Sequence, residues 1–349
     1  MNREDTLRAM TDFQTKQAQA YEWKVRYAET RAWEFVYECG RRGMGCHVSV
    51  GGLDSLTLLC FLRKIGIDAP AISVSLLEDK SIQVIHRELG VVPVKPDKSK
   101  VEVLYQCGYP IISKATAAHI EALQRPTPKN TAYRHSIITR TIGDRGDGID
   151  RHRMQIPKKW LRLFGGADPE GAALGYKAAP FRVSPACCYW MKEKPLNRWQ
   201  SENRSAPFLG LMASEGGRRE AALMRNGCNL FGSRRTRSAP FAIFNRQDLL
   251  RLAVDLQVPV PEIYGTIEQD GHGQYYTTGA DRTGCSMCGF GLHLEERPHR
   301  LDRLYRRNPA EWRFWIEDQH WGDVLDYIGV EWRAPEQFCT NADSLRCKE

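Results

Sequence analysis

Two glycines, an acid and a hydroxyl follow an apolar run in "HVSVGGLDSLTLLCFL", residues 47 to 62. Glycines at such a point let the backbone turn sharply and bring its N–H groups close to an anion. The helix that follows adds the positive end of its dipole. Ser49, Gly51, Gly52, Asp54 and Ser55 form the candidate phosphate-binding set. Asp54 could orient loop amides or help hold magnesium, and Ser55 could cap the helix or bind a phosphate oxygen. A tight turn with a helix cap explains the stretch nearly as well. The Gly-Lys-Ser/Thr ending of a Walker loop is missing.

The cysteines suggest a second chemistry. The chain holds 11, an odd number, and several are grouped: Cys187 and Cys188 in "SPACCYWMKEKPL", Cys228 in "RNGCNLF", Cys285 and Cys288 in "TGCSMCGFG". A Cys-x-x-Cys can present two thiolates to one metal from a single turn. Four thiolates from scattered loops suit zinc or an iron–sulfur cluster, and spacing alone does not separate the two. Adjacent cysteines do not easily both reach one tetrahedral ion, which favours a larger cluster or one spectator thiol. Cys39, Cys46, Cys60 and Cys107 read as ordinary buried thiols. The tail "QFCTNADSLRCKE" adds Cys339 and Cys347, read as thiols of a frayed end ahead of a mobile nucleophile.

Short apolar runs alternate with helical stretches around these residues. "GMGCHVSVGG", "APAISVSL", "VVPVKP" and "PFLGLMAS" read as strands; "SLTLLCFLRKIG", "KSIQVIHRELG" and "RQDLLRLAVDLQV" read as helices. The alternation predicts an α/β fold: a twisted, largely parallel sheet with helices on both faces, a Rossmann-like three-layer sandwich. Residues 1–40 read as an N-terminal helical segment, 41–295 as the sheet domain with an irregular insertion at about 125–186, and 296–349 as a helical, cysteine-rich C-terminal extension. The aromatic residues of the N-terminal segment recur at helical spacing, which predicts core positions.

The hydrophobic share of 42% and charged share of 26% are those of a soluble globular protein. No apolar run approaches the ~20 residues of a spanning helix, and the start of the chain lacks a signal peptide's apolar stretch. Those features make the cytoplasm the expected compartment, with no membrane partner. The net charge of +8 favours phosphate-bearing partners, nucleotide or nucleic acid. Oligomeric state is not legible.

"SVGGLDS" resembles the Ser-Gly-Gly-x-Asp-Ser loop of the PP-loop ATP pyrophosphatases (adenine nucleotide alpha hydrolases), with Val50 in place of the first serine and Leu53 where lysine is common. "CCYWMKEKPL" resembles the Cys-Cys-…-Lys-x-x-Pro-Leu segment of that superfamily's iron–sulfur sulfonucleotide (phosphoadenosine phosphosulfate) reductases, and "GCSMCGFG" their later Cys-x-x-Cys. "GLMASEGGRREAAL" is similar to their Gly-…-Glu-Ser-x-x-Arg region, with Gly216 where serine is common. The likeness runs from about residue 45 to 295. It implies an enzyme binding ATP or an adenylyl sulfonucleotide at Gly51, Gly52, Asp54 and Ser55, with magnesium, and with Arg218 and Arg219 on phosphate or sulfate. It also implies a [4Fe–4S] cluster, which the tandem-cysteine reductases' pattern would place on Cys187, Cys188, Cys285 and Cys288. The extra Cys228 moves the expected set to Cys188, Cys228, Cys285 and Cys288, with Cys187 as the competing ligand. Substrate adenylylation followed by sulfur transfer, with a sulfur-donor protein or a nucleic acid as partner, is the first expectation. A sulfite-releasing reductase is the second, although its C-terminal Glu-Cys-Gly-Leu-His motif is missing. The third is a non-catalytic nucleotide- or nucleic-acid-binding module with a structural metal site.

Overall fold

The computed structural model describes residues 3–140, 155–232, 235–286 and 288–333. Cys339 and Cys347 lie outside them, as does the side chain of Arg218. The chain divides into two units, Met1–Pro96 with Lys192–Cys285, and Asp97–Met191 with Ser286–Glu349. The stretch read as an irregular insertion thus belongs, up to Met191, to the same unit as the segment after Cys285.

The first unit is a mostly parallel sheet flanked by helices. Across the sheet the strands run Val92–Pro93, Ala71–Ser73, Gly45–Ser49, Ser205–Leu209, Thr236–Ser238 and Asn229–Phe231. The first five are parallel in succession, and Asn229–Phe231 closes one edge antiparallel to Thr236–Ser238. Gly45–Ser49 pairs along its whole length with Ser205–Leu209. Chain order turns back between these two strands: Ala71–Ser73 and Val92–Pro93 build outward on one side, and the later strands on the other. The expected α/β architecture with a largely parallel sheet is the observed one.

Local sequence explains the elements around this junction. Helix Leu53–Lys64 buries Leu53, Leu56, Leu58, Leu59, Phe61 and Leu62, so it is apolar nearly all round, as a helix enclosed in a core must be. It packs in one cluster with Phe35, Phe208, Phe241 and Phe244. Helix Lys80–Glu88 starts at Asp79, whose carboxylate accepts from Ser81 N–H; helix Arg246–Asp255 starts at an Asn245/Asp248 capping box. The strand expected in "PFLGLMAS" begins earlier and stops at Leu209, with a single 3₁₀ turn at Ala213–Glu215. Gly210 ends it: a Cβ there would sit 3.0 Å from the Asp54 carbonyl and the Ser55 Cα. The segment before the sheet forms helices Arg3–Gln17 and Tyr21–Arg41. Only part of its aromatic set enters the core: Phe13 and Phe35 are buried, whereas Trp23, Trp33 and Tyr37 are exposed. A long helix lying on a sheet has one inward stripe, and these three lie off it.

The second unit is mainly helical. Its one pair of described strands, Ile111–Ile112 and Gly289–Phe290, is parallel. Trp160, Phe164, Trp312, Trp315 and Trp321 fill its core. Tyr109 and Trp321 meet edge to face with centroids 5.2 Å apart, as do Phe181 and Tyr327 at 5.3 Å. Gly289 is required there, because a Cβ would meet the Trp321 ring at 2.8 Å. Among the described residues no helix is long and apolar enough to cross a membrane.

Candidate functional site

The carboxyl ends of Gly45–Ser49 and Ser205–Leu209, where the strand order reverses, open into a cavity of ≈ 370 Å³. A crevice at such a reversal is where open α/β sheets bind ligands. Ser49, Gly52, Asp54 and Ser55 line it from one strand end and helix start, Gly210, Glu215 and Arg219 from the other. Tyr264, Arg282 and Thr283 complete the wall. The whole cavity belongs to the first unit.

Each loop residue has a defined task. Ser55 braces the turn: its Oγ accepts from Gly51 N–H at 2.7 Å and donates to the Gly52 carbonyl at 2.9 Å. Gly52 has ordinary φ, and its lack of a side chain serves close approach. A Cβ there would lie 2.2 Å from Tyr264 Oη. That hydroxyl accepts from Leu53 N–H, the first amide of the helix, at 3.1 Å, and shares a 2.8 Å hydrogen bond with the Thr283 hydroxyl. The first amide of a helix is a donor of the kind that holds anions, and here it donates to Tyr264 Oη. Ser49 Oγ, at the end of its strand, is buried on the cavity wall with no hydrogen-bond partner among the described residues. An unpartnered buried hydroxyl of this kind fits a site that takes a polar ligand.

The charges are arranged in pairs. Asp54 Oδ1 binds Arg246 Nη1 at 2.6 Å, and Arg246 also donates to the Asp281 carbonyl. Burial pushes the Asp54 carboxyl above the usual carboxylate range, against the pull of Arg246; Glu215 adds to the rise. Glu215 is nearly enclosed and holds Arg219 at 2.5 Å and Arg282 at 3.7 Å. Arg246, Arg219 and Arg282 face the carboxylates of Asp54 and Glu215, and Asp281 also lines the wall, so the described charges around the cavity balance.

Of the residues anticipated from sequence, Ser49, Gly52, Asp54, Ser55 and Arg219 line one cavity, with Gly51 behind it. Arg246, Arg282, Tyr264, Thr283 and Glu215 were not anticipated. A signal existed for Arg246: a cation in the first turn of a helix opposes the helix dipole and implies an acidic partner, here Asp54.

The cysteines are distributed differently. Cys187 and Cys188 open a helical turn that leads into the π-helical turn Tyr189–Glu193, and belong with Cys288 to the second unit; Cys228 and Cys285 belong to the first. Adjacent positions on a helix project about 100° apart. Cys228 is buried beside Tyr27, and burial pushes its thiol up to about 11, which favours the neutral thiol over the thiolate a metal needs. Among the described residues no three His, Cys, Asp or Glu side chains converge as a metal site requires.

No protein-family model matches the chain, and no curated protein does. Among solved structures it is similar to phosphoadenylyl-sulfate (PAPS) reductase from Candida auris in a phosphate complex. The identity is 13% and the TM-score 0.35, over 74% of this chain and 98% of that one.

Proposed function

We propose that the cavity binds the phosphates of an adenine nucleotide and that the chain is a nucleotide-activating enzyme. The observation that carries this reading is the juxtaposition at the sheet reversal: a glycine turn and helix start, a buried Ser49 hydroxyl with no hydrogen-bond partner among the described residues, and two arginines paired with Glu215 in the cavity wall. Helix amides and arginines are the donors that phosphoryl chemistry uses for positioning and charge neutralisation. Asp54 and Glu215 are hard oxygen donors in the number that magnesium takes from protein when phosphates supply the rest. They would hold the ion, which neutralises charge on the triphosphate. Binding then exchanges partners, with Arg219 and Arg282 passing from Glu215 to phosphate.

The proposed step is adenylylation. A substrate oxygen attacks the α-phosphorus, the new O–P bond forms, and the bond to the β-bridging oxygen breaks. Pyrophosphate leaves with the electron pair. A sulfur nucleophile brought by a separate donor then attacks the substrate carbon that bears the adenylylated oxygen, the C–O bond breaks, and AMP departs with the electron pair. Gly52 and Leu53 amides stabilise the leaving pyrophosphate, so the adenylylation step draws on the residues of the cavity.

Exchange of labelled pyrophosphate into ATP, run with candidate acceptors, tests the proposal. The expected result is exchange that is lost on replacing Asp54 by Ala. Saturable ATP binding with no exchange for any acceptor would leave only a binding module. Sulfite release from an adenylyl sulfonucleotide would replace activation with reduction.

A further inference from the structure

His86 lies buried behind the glycine loop, 1% exposed. Its Nε2 is 2.8 Å from the Gly51 carbonyl oxygen and its Nδ1 2.9 Å from Ser75 Oγ. A carbonyl oxygen only accepts, so Nε2 carries the hydrogen and donates; Nδ1 of the neutral ring then accepts from the Ser75 hydroxyl. Burial lowers the pKa of the ring, which keeps this neutral tautomer at ordinary pH.

The consequence lies in the peptide that follows. Arg297–Pro298 is the cis peptide among the described residues, so Gly51–Gly52 is trans. In a planar trans peptide the C=O and N–H point in opposite directions. Fixing the Gly51 oxygen on His86 therefore turns the Gly52 N–H to the opposite side of the loop, where Gly52 lines the cavity and His86 does not. The next amide shows the same direction, since Leu53 N–H reaches the cavity-lining Tyr264 hydroxyl. Glu78 Oε1 is 3.6 Å from where a Gly51 Cβ would stand, and Lys192 offsets its charge at 2.8 Å.

We infer that His86 is a positioning residue for anion binding: by anchoring the Gly51 carbonyl it holds the Gly52 N–H toward the cavity as a phosphate donor. The inference rests on reading the cavity as a phosphate site. Without the anchor the Gly51–Gly52 peptide loses its own tether, although Ser55 still holds the Gly51 N–H and the Gly52 carbonyl on either side, and an anion must then orient it on binding.

Calorimetric titration with inorganic pyrophosphate tests this on the wild-type chain, His86→Leu and His86→Gln, with unfolding midpoints measured alongside. Leu keeps apolar bulk and removes the donor; Gln restores an N–H donor. Pyrophosphate should bind at least about tenfold more weakly to His86→Leu, the size of one charge-assisted hydrogen bond, and within about threefold of wild type to His86→Gln. Affinity should follow the donor and not the unfolding midpoint. Equal affinity in wild type and His86→Leu would overturn the positioning role while leaving the phosphate site intact. A Gln variant as weak as the Leu variant at equal stability would also overturn it. No binding to the wild type would remove the phosphate reading and this inference together. Should His86→Leu not fold, Ser75→Ala loosens the ring from its other side. About a twofold or greater loss of affinity is then expected, and an unchanged affinity would overturn the role.

Discussion

The glycine loop and the cysteine segments make opposite uses of the chain. The loop gathers its chemistry in seven consecutive residues, and the fold adds partners from far away: Arg246 reaches Asp54 across 192 positions and Tyr264 reaches Leu53 across 211. The cysteines stand out more plainly in the sequence, yet they fall in both units, and one of them, Cys228, is buried where the thiol is favoured over the thiolate. A contiguous motif at a strand end carries its own geometry, because the strand and helix on either side fix the backbone. A set of scattered ligands carries none until the fold supplies it.

The comparison can be broken most sharply at Asp54. If the loop is the reacting centre, Asp54→Ala should lower pyrophosphate exchange by about 100-fold or more, the scale of losing a preorganised charge at a phosphoryl site. Ala at Cys285 and Cys288 should leave ATP affinity within about twofold, whatever it does to iron and sulfide content. If both cysteine variants abolished ATP binding with the fold intact, the two regions would be one site.

Gly52→Ala comes next in size. Its Cβ would stand 2.2 Å from Tyr264 Oη and crowd the turn that the triphosphate approaches, so ATP affinity should fall by about tenfold, the scale of one hydrogen bond to a charged group. An Ala variant that titrates like wild type would show that no ligand approaches this turn.

A smaller effect concerns stability beneath the site. His47, in the strand leading to the loop, is buried with Nδ1 on Ser205 Oγ at 2.8 Å and the ring edge-on to Trp199. Burial lowers its pKa from 6.5 to about 4. Between these values the unfolded chain binds a proton that the folded chain refuses, so stability falls as pH drops from 6.5 toward 4. The loss is on the order of 3 kcal/mol at about 1.36 kcal/mol per pH unit, and His86, shifted the same way, adds to it. Denaturant unfolding across this range should show the slope, and His47→Leu should flatten it. Equal slopes in both would place the titration elsewhere.

The parallel sheet and the phosphate-loop residues were legible because apolar runs and glycine punctuation are local signals. Ser49 and Arg219 were legible through their neighbours in the motif. Tyr264, Thr283 and Arg282 were not, since a hydroxyl or arginine in a turn-rich stretch gives no sign of the helix start it will face. Trp23, Trp33 and Tyr37 misled for a related reason: spacing shows which residues share a helix face, but not which face meets the sheet.

The most direct measurement is a crystal structure of the protein with a non-hydrolysable ATP analogue and magnesium. The account predicts triphosphate density at the cavity, phosphate oxygens on the Gly52 and Leu53 amides, and the Tyr264 hydroxyl displaced from Leu53. Triphosphate bound elsewhere, with Tyr264 still on Leu53, would contradict it.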